Sequence, residues 1–395
     1  MSDNTHGGPA DAGPIDVLVV GLGFGSAFAP IYQAHPAVGR VGLVDSNAER
    51  LAAVGADLSI ADLFTDLDAA LAEPGWDAVH LLTPVALHAE QVQQILASGR
   101  HCASAVPMAT SLDDLDRLIA AQQRSGKNYM MMETARYSRE FFHARRLLRD
   151  GTLGRLSYFR GEHLQNLDGF PPYWLGFPPM HYVTHALSPA LALSRSRVES
   201  VRCLGSSRLT PDHIGVAGDG FGTEAGLFRL RSVDPDIGDD LVANITLSFF
   251  QLGRSYMEGF SVYGTEGALE WPQLEGGPMK EFRAGAVPAG GRGRAIEDGD
   301  IRPAGEPDLL PIELRRFADG GHGGSHPHLV HEFVSSIVQG RSPRVDARVA
   351  ATWTAPGICA HTSALQGGQE IAVPDYDADL ATVADDADPA GGGGR

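Results

Sequence analysis

The sequence predicts an α/β protein in which an N-terminal doubly wound parallel sheet is followed by a second α/β domain with a large, open, mainly antiparallel sheet. Three observations predict it. At 395 residues the chain exceeds one ordinary core and suits two. In its first third, short apolar runs alternate with amphipathic helical stretches, the pattern of βαβ units. Beyond Arg136 the rhythm changes to successive β-rich segments in hairpin-like order.

Residues 1–14 are polar and Gly-rich and are expected to be a disordered lead. Residues 15–135 form the first domain. Its strands are read at Ile15–Val20, Val41–Val44, Ala78–Leu82, His101–Ala105 and Tyr129–Met132. Helices are read at Ser26–Ala34, Asn47–Ala56, His88–Ser98 and Ser111–Ser125. Residues 136–376 form the second domain. It opens with a basic helix, Glu140–Arg149, expected to present a solvated face. Strands follow at Val198–Gly205, Ala225–Arg231, Leu241–Phe250, Phe260–Tyr263 and Ala268–Trp271, and the helix His328–Gln339 and the strand Glu370–Val373 close the domain. Within it, residues 275–322 are rich in Gly and Pro without periodicity and are read as an irregular surface insertion. Residues 377–395, acidic and ending in glycines, are read as a disordered tail.

Composition narrows the function classes. Apolar residues at 43% and charged residues at 20% are ordinary for a globular protein. A formal net charge of −18 repels nucleic acid and anionic membranes, so neither is expected as a partner. Three scattered cysteines cannot build a disulfide framework. With neither a signal peptide nor an apolar run of membrane-spanning length in view, the expected compartment is the cytoplasm.

The chemistry-bearing motif is Gly21-Leu22-Gly23-Phe24-Gly25-Ser26, which follows a strand and opens a helix, with Asp45 ending the next strand. The first glycine permits a tight turn, the second lets the backbone approach a pyrophosphate, and the following helix amides favour negative charge. Ser26 stands where a third small residue would pack helix on strand. Asp45 suits ribose hydroxyls and repels a 2′-phosphate, so the expected cofactor is NAD rather than NADP.

On these and further stretches the chain resembles the glucose-fructose oxidoreductase / inositol dehydrogenase (Gfo/Idh/MocA) family. Asp77 to Pro84 followed by Leu87-His88-Ala89-Glu90 is similar to that family's nicotinamide-side loop, and Gly99-Arg100-His101 with Pro107-Met108-Ala109 to the segment where most members carry Glu-Lys-Pro. Here that segment reads Ala105-Val106-Pro107, without the lysine that usually supports proton removal from the substrate hydroxyl. Four residues before His185, where family dehydrogenases usually have Asp, stands His181. These departures resemble the NAD-dependent glycosidases of the α-N-acetylgalactosaminidase type, as do Met130 to Glu133 running to Tyr137-Ser138-Arg139-Glu140, Tyr182-Val183-Thr184-His185 with Leu187-Ser188-Pro189, and Gly321-His322-Gly323-Gly324.

The resemblance implies a small-molecule sugar substrate, a homo-oligomer formed through the second sheet, and cofactor contacts at Thr83, Pro84, His88, Ala105 and Val106 beside the glycine turn; Glu133, which follows the fifth strand, is expected near the nicotinamide, with a cap or salt-bridge role as its alternative. It also implies oxidation of the C3 hydroxyl of a pyranoside, elimination across C1 and C2, hydration, and return of the hydride. His185 is the leading base, because imidazole exchanges protons near neutrality. Tyr182 and Tyr137 are candidate partners in catalysis. Asp168, Trp174, His181, His322 and His326 are candidate substrate contacts, and each has a structural alternative in packing or salt bridging. The pair His181 and His185 at helical spacing could bind zinc, but no third ligand accompanies it and no metal is expected. A simple sugar dehydrogenase and a non-catalytic NAD sensor remain alternatives.

Overall fold

The computed structural model describes residues 13–385, and the counts below are of those residues. The first domain runs β1 (Ile15–Val20), α1 (Leu22–Gly25), α2 (Ala29–Ala34), β2 (Val38–Val44), α3 (Ala48–Leu58), β3 (Leu63–Phe64), α4 (Leu67–Ala72), β4 (Ala78–Leu81), α5 (His88–Ala97), β5 (His101–Ser104), α6 (Leu112–Ser125) and β6 (Tyr129–Met131). Its six strands are parallel and ordered β3-β2-β1-β4-β5-β6, so the winding direction reverses between β1 and β4. A crevice opens at such a reversal, beyond the strands' carboxyl ends. Central strands read as continuous apolar runs because helices cover both faces: Val17, Leu18 and Val19 are fully buried. Side-chain oxygens of Asn47, Asp66 and Ser111 cap α3, α4 and α6.

Of the helix expected over Ser26–Ala34 only Ala29–Ala34 is formed; a separate turn, Leu22–Gly25, precedes it, and Ser26 falls in the break between the two. Pro30, lacking an N–H, is accommodated in the first turn of a new helix rather than inside a continuous one.

The second domain comprises α7 (Arg139–Arg149), β7 (Leu156–Leu164), α8 (Thr184–Leu193), β8 (Ser196–Arg208), β9 (Phe221–Ser232), β10 (Leu241–Ser248), β11 (Met257–Gly264), β12 (Gly267–Glu270), β13 (Met279–Ala284), β14 (Ile296–Ile301), α9 (Ser325–Val338), α10 (Ala347–Leu365) and β15 (Ile371–Ala372). Its nine strands are ordered β14-β13-β12-β11-β7-β10-β9-β8-β15, and every pairing is antiparallel except β7 with β10. Helix α8, buried along its whole length, packs on this sheet and carries His185.

Three expectations are corrected here, and one element is new. Residues 275–322 are not irregular throughout: β13 and β14 extend the sheet to its edge, and the rest holds three short 3-10 turns. The helix α7 is not a solvated face, because Phe141, Phe142, Arg145 and Leu147 are buried. The long helix α10 was not anticipated at all. In the tail, residues 377–385 pack back on the domain, with Leu380 and Val383 buried and the carbonyls of Val383, Ala384 and Asp385 accepting from the guanidiniums of Arg136 and Arg145. The expected lead 1–14, apart from its last two residues, and the tail from 386 onward lie outside the described residues. No described helix is long and apolar enough to cross a membrane.

Candidate active site

A cavity of about 1450 Å³ runs from the carboxyl ends of β1, β2 and β4 to the near face of the second sheet. At its Rossmann end Gly21 turns the chain with φ of 90°, a conformation open to glycine. A Cβ there would sit 2.6 Å from the Leu82 carbonyl oxygen. Over Gly23 the space is open, its nearest neighbour being Arg50 Nη1 at 3.6 Å. Gly25, not Ser26, provides the close helix-on-strand packing, against Val19 and Leu82. Gly21, Gly23 and Phe24 line the cavity, whereas Gly25 and Ser26 do not.

Asp45 lines the cavity beside Gly23 and Arg50. One carboxylate oxygen accepts from Leu22 N and from Arg50 Nη1, at 2.8 and 3.2 Å, and the other accepts from Asn47 N at 2.8 Å. A carboxylate has about four lone-pair sites, so capacity remains for a ribose hydroxyl. Thr83, Pro84, Ala105 and Val106 form the adjoining wall. His88 also lines it, with its two ring nitrogens 2.9 and 2.8 Å from the carbonyls of Thr83 and Pro107, so it ties two of these loops together. An open turn over Gly23 and a carboxylate at the end of β2 fit an NAD molecule.

At the opposite end, His185 is buried with Nδ1 donating to Glu133 Oε1 at 2.7 Å. Thr134 Oγ1 lies 3.3 Å from the same nitrogen, and Glu258 Oε1 lies 3.7 Å away on the cavity wall. With Nδ1 so engaged, Nε2 is the ring atom left for a substrate. Burial disfavours charge on this imidazole, but the carboxylates of Glu133 and Glu258 outweigh it and raise the His185 pKa to about 9. Reciprocally, Glu258 is held well below the usual carboxylate range: burial opposes its charge, and His185, His163 and His322 overcome that. Tyr256 donates its hydroxyl to Glu258 Oε2. Tyr182 stands at the end of the short turn Pro179–Tyr182, its ring centroid 4.9 Å from that of His185, and burial raises its hydroxyl pKa.

Of the residues the sequence singles out, His185, Tyr182, Trp174 and His322 all line this cavity. The cofactor-side candidates from Gly21 to Val106 described above line it as well, Gly25 and Ser26 excepted, and the remaining candidates lie elsewhere. Glu133, expected at the cofactor, is buried behind His185 as its hydrogen-bond partner. Tyr137 is buried under the stacked guanidinium of Arg136 and does not reach the cavity, because the strand-to-helix turn directs it inward. Asp168 bonds His213 at the surface, at 2.8 Å. His181 faces His361, ring centroids 5.1 Å apart, and shares no site with His185. His326 sits behind His322, against Phe24 and Phe28.

Sequence reasoning missed Glu258, His163 and Tyr256. Residues Glu258 and His163 are direct register partners across β11 and β7, a juxtaposition that exists only once the sheet is paired. Both ring nitrogens of His163 are buried without a hydrogen bond, and burial lowers its pKa to about 4. Glu275, Gly276 and Arg302, from the segment first read as an irregular insertion, also line the cavity. The chain has just two lysines, Lys127 and Lys280, and neither lines it. Val106 is part of the wall instead. Among the described residues no three His, Cys, Asp or Glu side chains converge as a metal site.

Residues 15–133 match the Gfo/Idh/MocA model, described as an oxidoreductase family with an NAD-binding Rossmann fold. A glycosyl hydrolase family 109 protein of Streptomyces niveus is 24% identical over 406 aligned positions, covering 92% of this chain and 77% of that protein. Among solved structures, levoglucosan dehydrogenase in complex with NADH and levoglucosan superposes with a TM-score of 0.72 at 19% identity, covering 92% of this chain and 100% of that one. The UDP-N-acetylglucosamine 3-dehydrogenase of Acidithiobacillus ferrooxidans gives 0.65 at 22% identity, covering 88% and 97%. The likeness to these two structures is one of fold and extends through the second domain. Residues 15–133 are therefore an NAD-binding Rossmann domain, similar to that of the Gfo/Idh/MocA oxidoreductase family.

Proposed function

We propose that this protein is an NAD-dependent enzyme acting on a glycoside: it oxidises the C3 hydroxyl of the sugar ring and cleaves the glycosidic bond by elimination, hydration and reduction. The observation that carries the reading is the Glu133–His185 pair, set at the far end of the cofactor crevice in a cavity that no lysine reaches. Gly21, Gly23 and Asp45 would hold NAD, which would supply the acceptor for the C3 hydride and its later return, with no net redox change.

His185, held by Glu133 through Nδ1, presents Nε2 to take the hydroxyl proton as the hydride leaves. Tyr182 lies against the imidazole and offers a hydroxyl to the same region. Trp174 and Tyr173 on one side and Trp271 elsewhere on the wall provide aromatic faces for a sugar ring. A ketone at C3 acidifies the C2 hydrogen, so the aglycone departs by elimination rather than by displacement between two carboxylates as in most glycosidases. The outer face of the second sheet, where Leu204 and Leu227 are exposed on neighbouring strands, is the surface for a homo-oligomer.

The test is a panel of aryl glycosides incubated with enzyme and NAD, scoring phenol release and NADH absorbance together. Phenol release without net NADH, with solvent deuterium entering C2, is the expected result. Stoichiometric NADH without phenol would make the protein a sugar dehydrogenase, and retained NAD binding with neither signal would make it a non-catalytic sensor.

A further inference from the structure

The reaction proposed above requires two proton transfers that His185 does not perform: removal of the proton at C2, and delivery of a proton to the departing oxygen. Beside Glu275, two carboxyl groups with no proton-transfer role assigned above line the same cavity, Glu140 at the start of α7 and Glu258 at the start of β11. Their settings differ. Glu258 is clamped, with Oε2 accepting from Tyr256 and Oε1 turned to the His185 ring at 3.7 Å. Glu140 has Oε1 at 3.5 Å from Arg139 Nε, while its Oε2 is buried with no hydrogen-bond partner. Gly323 packs directly on that oxygen, and a Cβ there would come within 2.6 Å of it. A carboxylate oxygen left bare in a closed setting is costly if charged and tolerable if protonated.

Resting on the glycosidase reading, we propose that Glu258 and Glu140 divide the elimination between them, Glu258 taking the C2 proton and Glu140 protonating the glycosidic oxygen as it leaves C1. Electrostatics agree with this division. Burial, with a further contribution from the neighbouring Glu258 charge, raises the Glu140 pKa against the pull of Arg139, whereas the surrounding imidazoles hold Glu258 ionised in spite of burial. Carboxyl groups whose environments push them apart in this way are suited to opposite roles.

Atoms and charges balance. The C2–H bond breaks and its proton passes to the Glu258 carboxylate. Its electron pair forms the C1=C2 bond of an enone, the C1–O bond breaks, and the leaving oxygen takes the Glu140 proton. Water then adds at C1 and gives one proton to the Glu140 carboxylate. The proton on Glu258 returns to C2, which restores both groups.

The experiment compares wild type with Glu140→Gln, Glu140→Asp and Glu258→Gln on a nitrophenyl and a methyl glycoside of one sugar, with NAD present. General acid catalysis contributes about 10² to 10⁴-fold, and a nitrophenolate needs little of it. Glu140→Gln is therefore expected to slow methyl glycoside cleavage by at least about 100-fold and nitrophenyl glycoside cleavage by less than about 5-fold, with Glu140→Asp recovering part of the former. Glu258→Gln is expected to suppress deuterium entry at C2 while the single-turnover formation of NADH persists. NAD titration by fluorescence, unchanged in each variant, shows that the cavity is intact. Equal slowing of both glycosides by Glu140→Gln, or undiminished deuterium entry with Glu258→Gln, overturns the assignment while leaving the glycosidase reading in place. Failure of wild type to release either aglycone overturns that reading first, and this one with it.

Discussion

Replacing Glu133 by Gln keeps the shape of the side chain and removes the charge that faces His185 at 2.7 Å. At an effective dielectric near 20, charges about 4 Å apart interact by about 4 kcal/mol, which corresponds to roughly 3 pKa units. Glu258, at 3.7 Å, remains as a second carboxylate and absorbs part of the loss, so a fall of roughly 2 units is expected. In the free wild-type enzyme His185 titrates near 9 and is protonated at neutral pH. The base form grows as pH rises, and kcat/KM for the first hydride transfer should climb about tenfold per pH unit toward that value. In Glu133→Gln the climb should end roughly 2 units lower. Its plateau should also be lower, by about 10² to 10⁴-fold, because an amide can present its NH₂ group to Nδ1 and favour the wrong tautomer. The assay is stopped-flow NADH absorbance at saturating NAD across pH 6 to 10. A limb that stays where it is, or moves upward, would refute the claim that Glu133 sets the proton affinity of His185.

Four further outcomes can be checked. Because the folded state raises the His185 pKa, its stabilisation is complete below the unfolded value near 6.5 and is lost as pH rises through about 9; wild type should lose about 3 kcal/mol over this window, and His185→Gln should show a flatter Tm profile. Gly21→Ala forces a Cβ against the Leu82 carbonyl at positive φ, which should cost about 1–3 kcal/mol and abolish NAD binding in a fluorescence titration. Asp45→Ala removes the charge that repels a 2′-phosphate and leaves Arg50 beside the site, so NADP should bind at least about 10-fold tighter than to wild type while NAD weakens. Truncation after Asp377 removes buried Leu380 and Val383 and the carbonyls that Arg136 and Arg145 use, and should lower stability by about 2–4 kcal/mol in a urea titration.

What was legible in the sequence is what is local. The glycine turn and Asp45 lie within one βαβ unit, and the capping residues of α3, α4 and α6 sit next to the helices they start. The helix α10 escaped detection because it is buried nearly all round: Val349, Trp353, Pro356 and Cys359 share it with alanines and threonines, leaving no polar stripe to mark a period. The strand β14 reads Ile-Glu-Asp-Gly-Asp-Ile, an acidic sheet edge without apolar alternation. The candidate site was half legible. His185 and Tyr182 are three residues apart, but Glu258 meets His185 only because β11 pairs with β7 and α8 lies across both. Tyr137 and Asp168 lie off the cavity for the complementary reason: their types suit chemistry, and only the turn that follows each strand decides which way they point.

Val106 and the imidazole site belong to one argument. A lysine ammonium in the wall where Val106 stands would add a fixed positive charge beside groups that, in the proposed cycle, both take and return protons. In an ordinary dehydrogenase the proton and hydride leave the cycle, so a one-way acceptor suffices. In a cycle that returns both, each proton station must be reversible under constant conditions. An imidazole between two carboxylates meets that need, because Glu133 and Glu258 stabilise its charged form while burial opposes it. On this reasoning, restoring a lysine through Val106→Lys should not enhance glycoside cleavage. It should instead slow the return of the hydride, so that NADH, which the proposed cycle keeps from accumulating in wild type, accumulates in the variant.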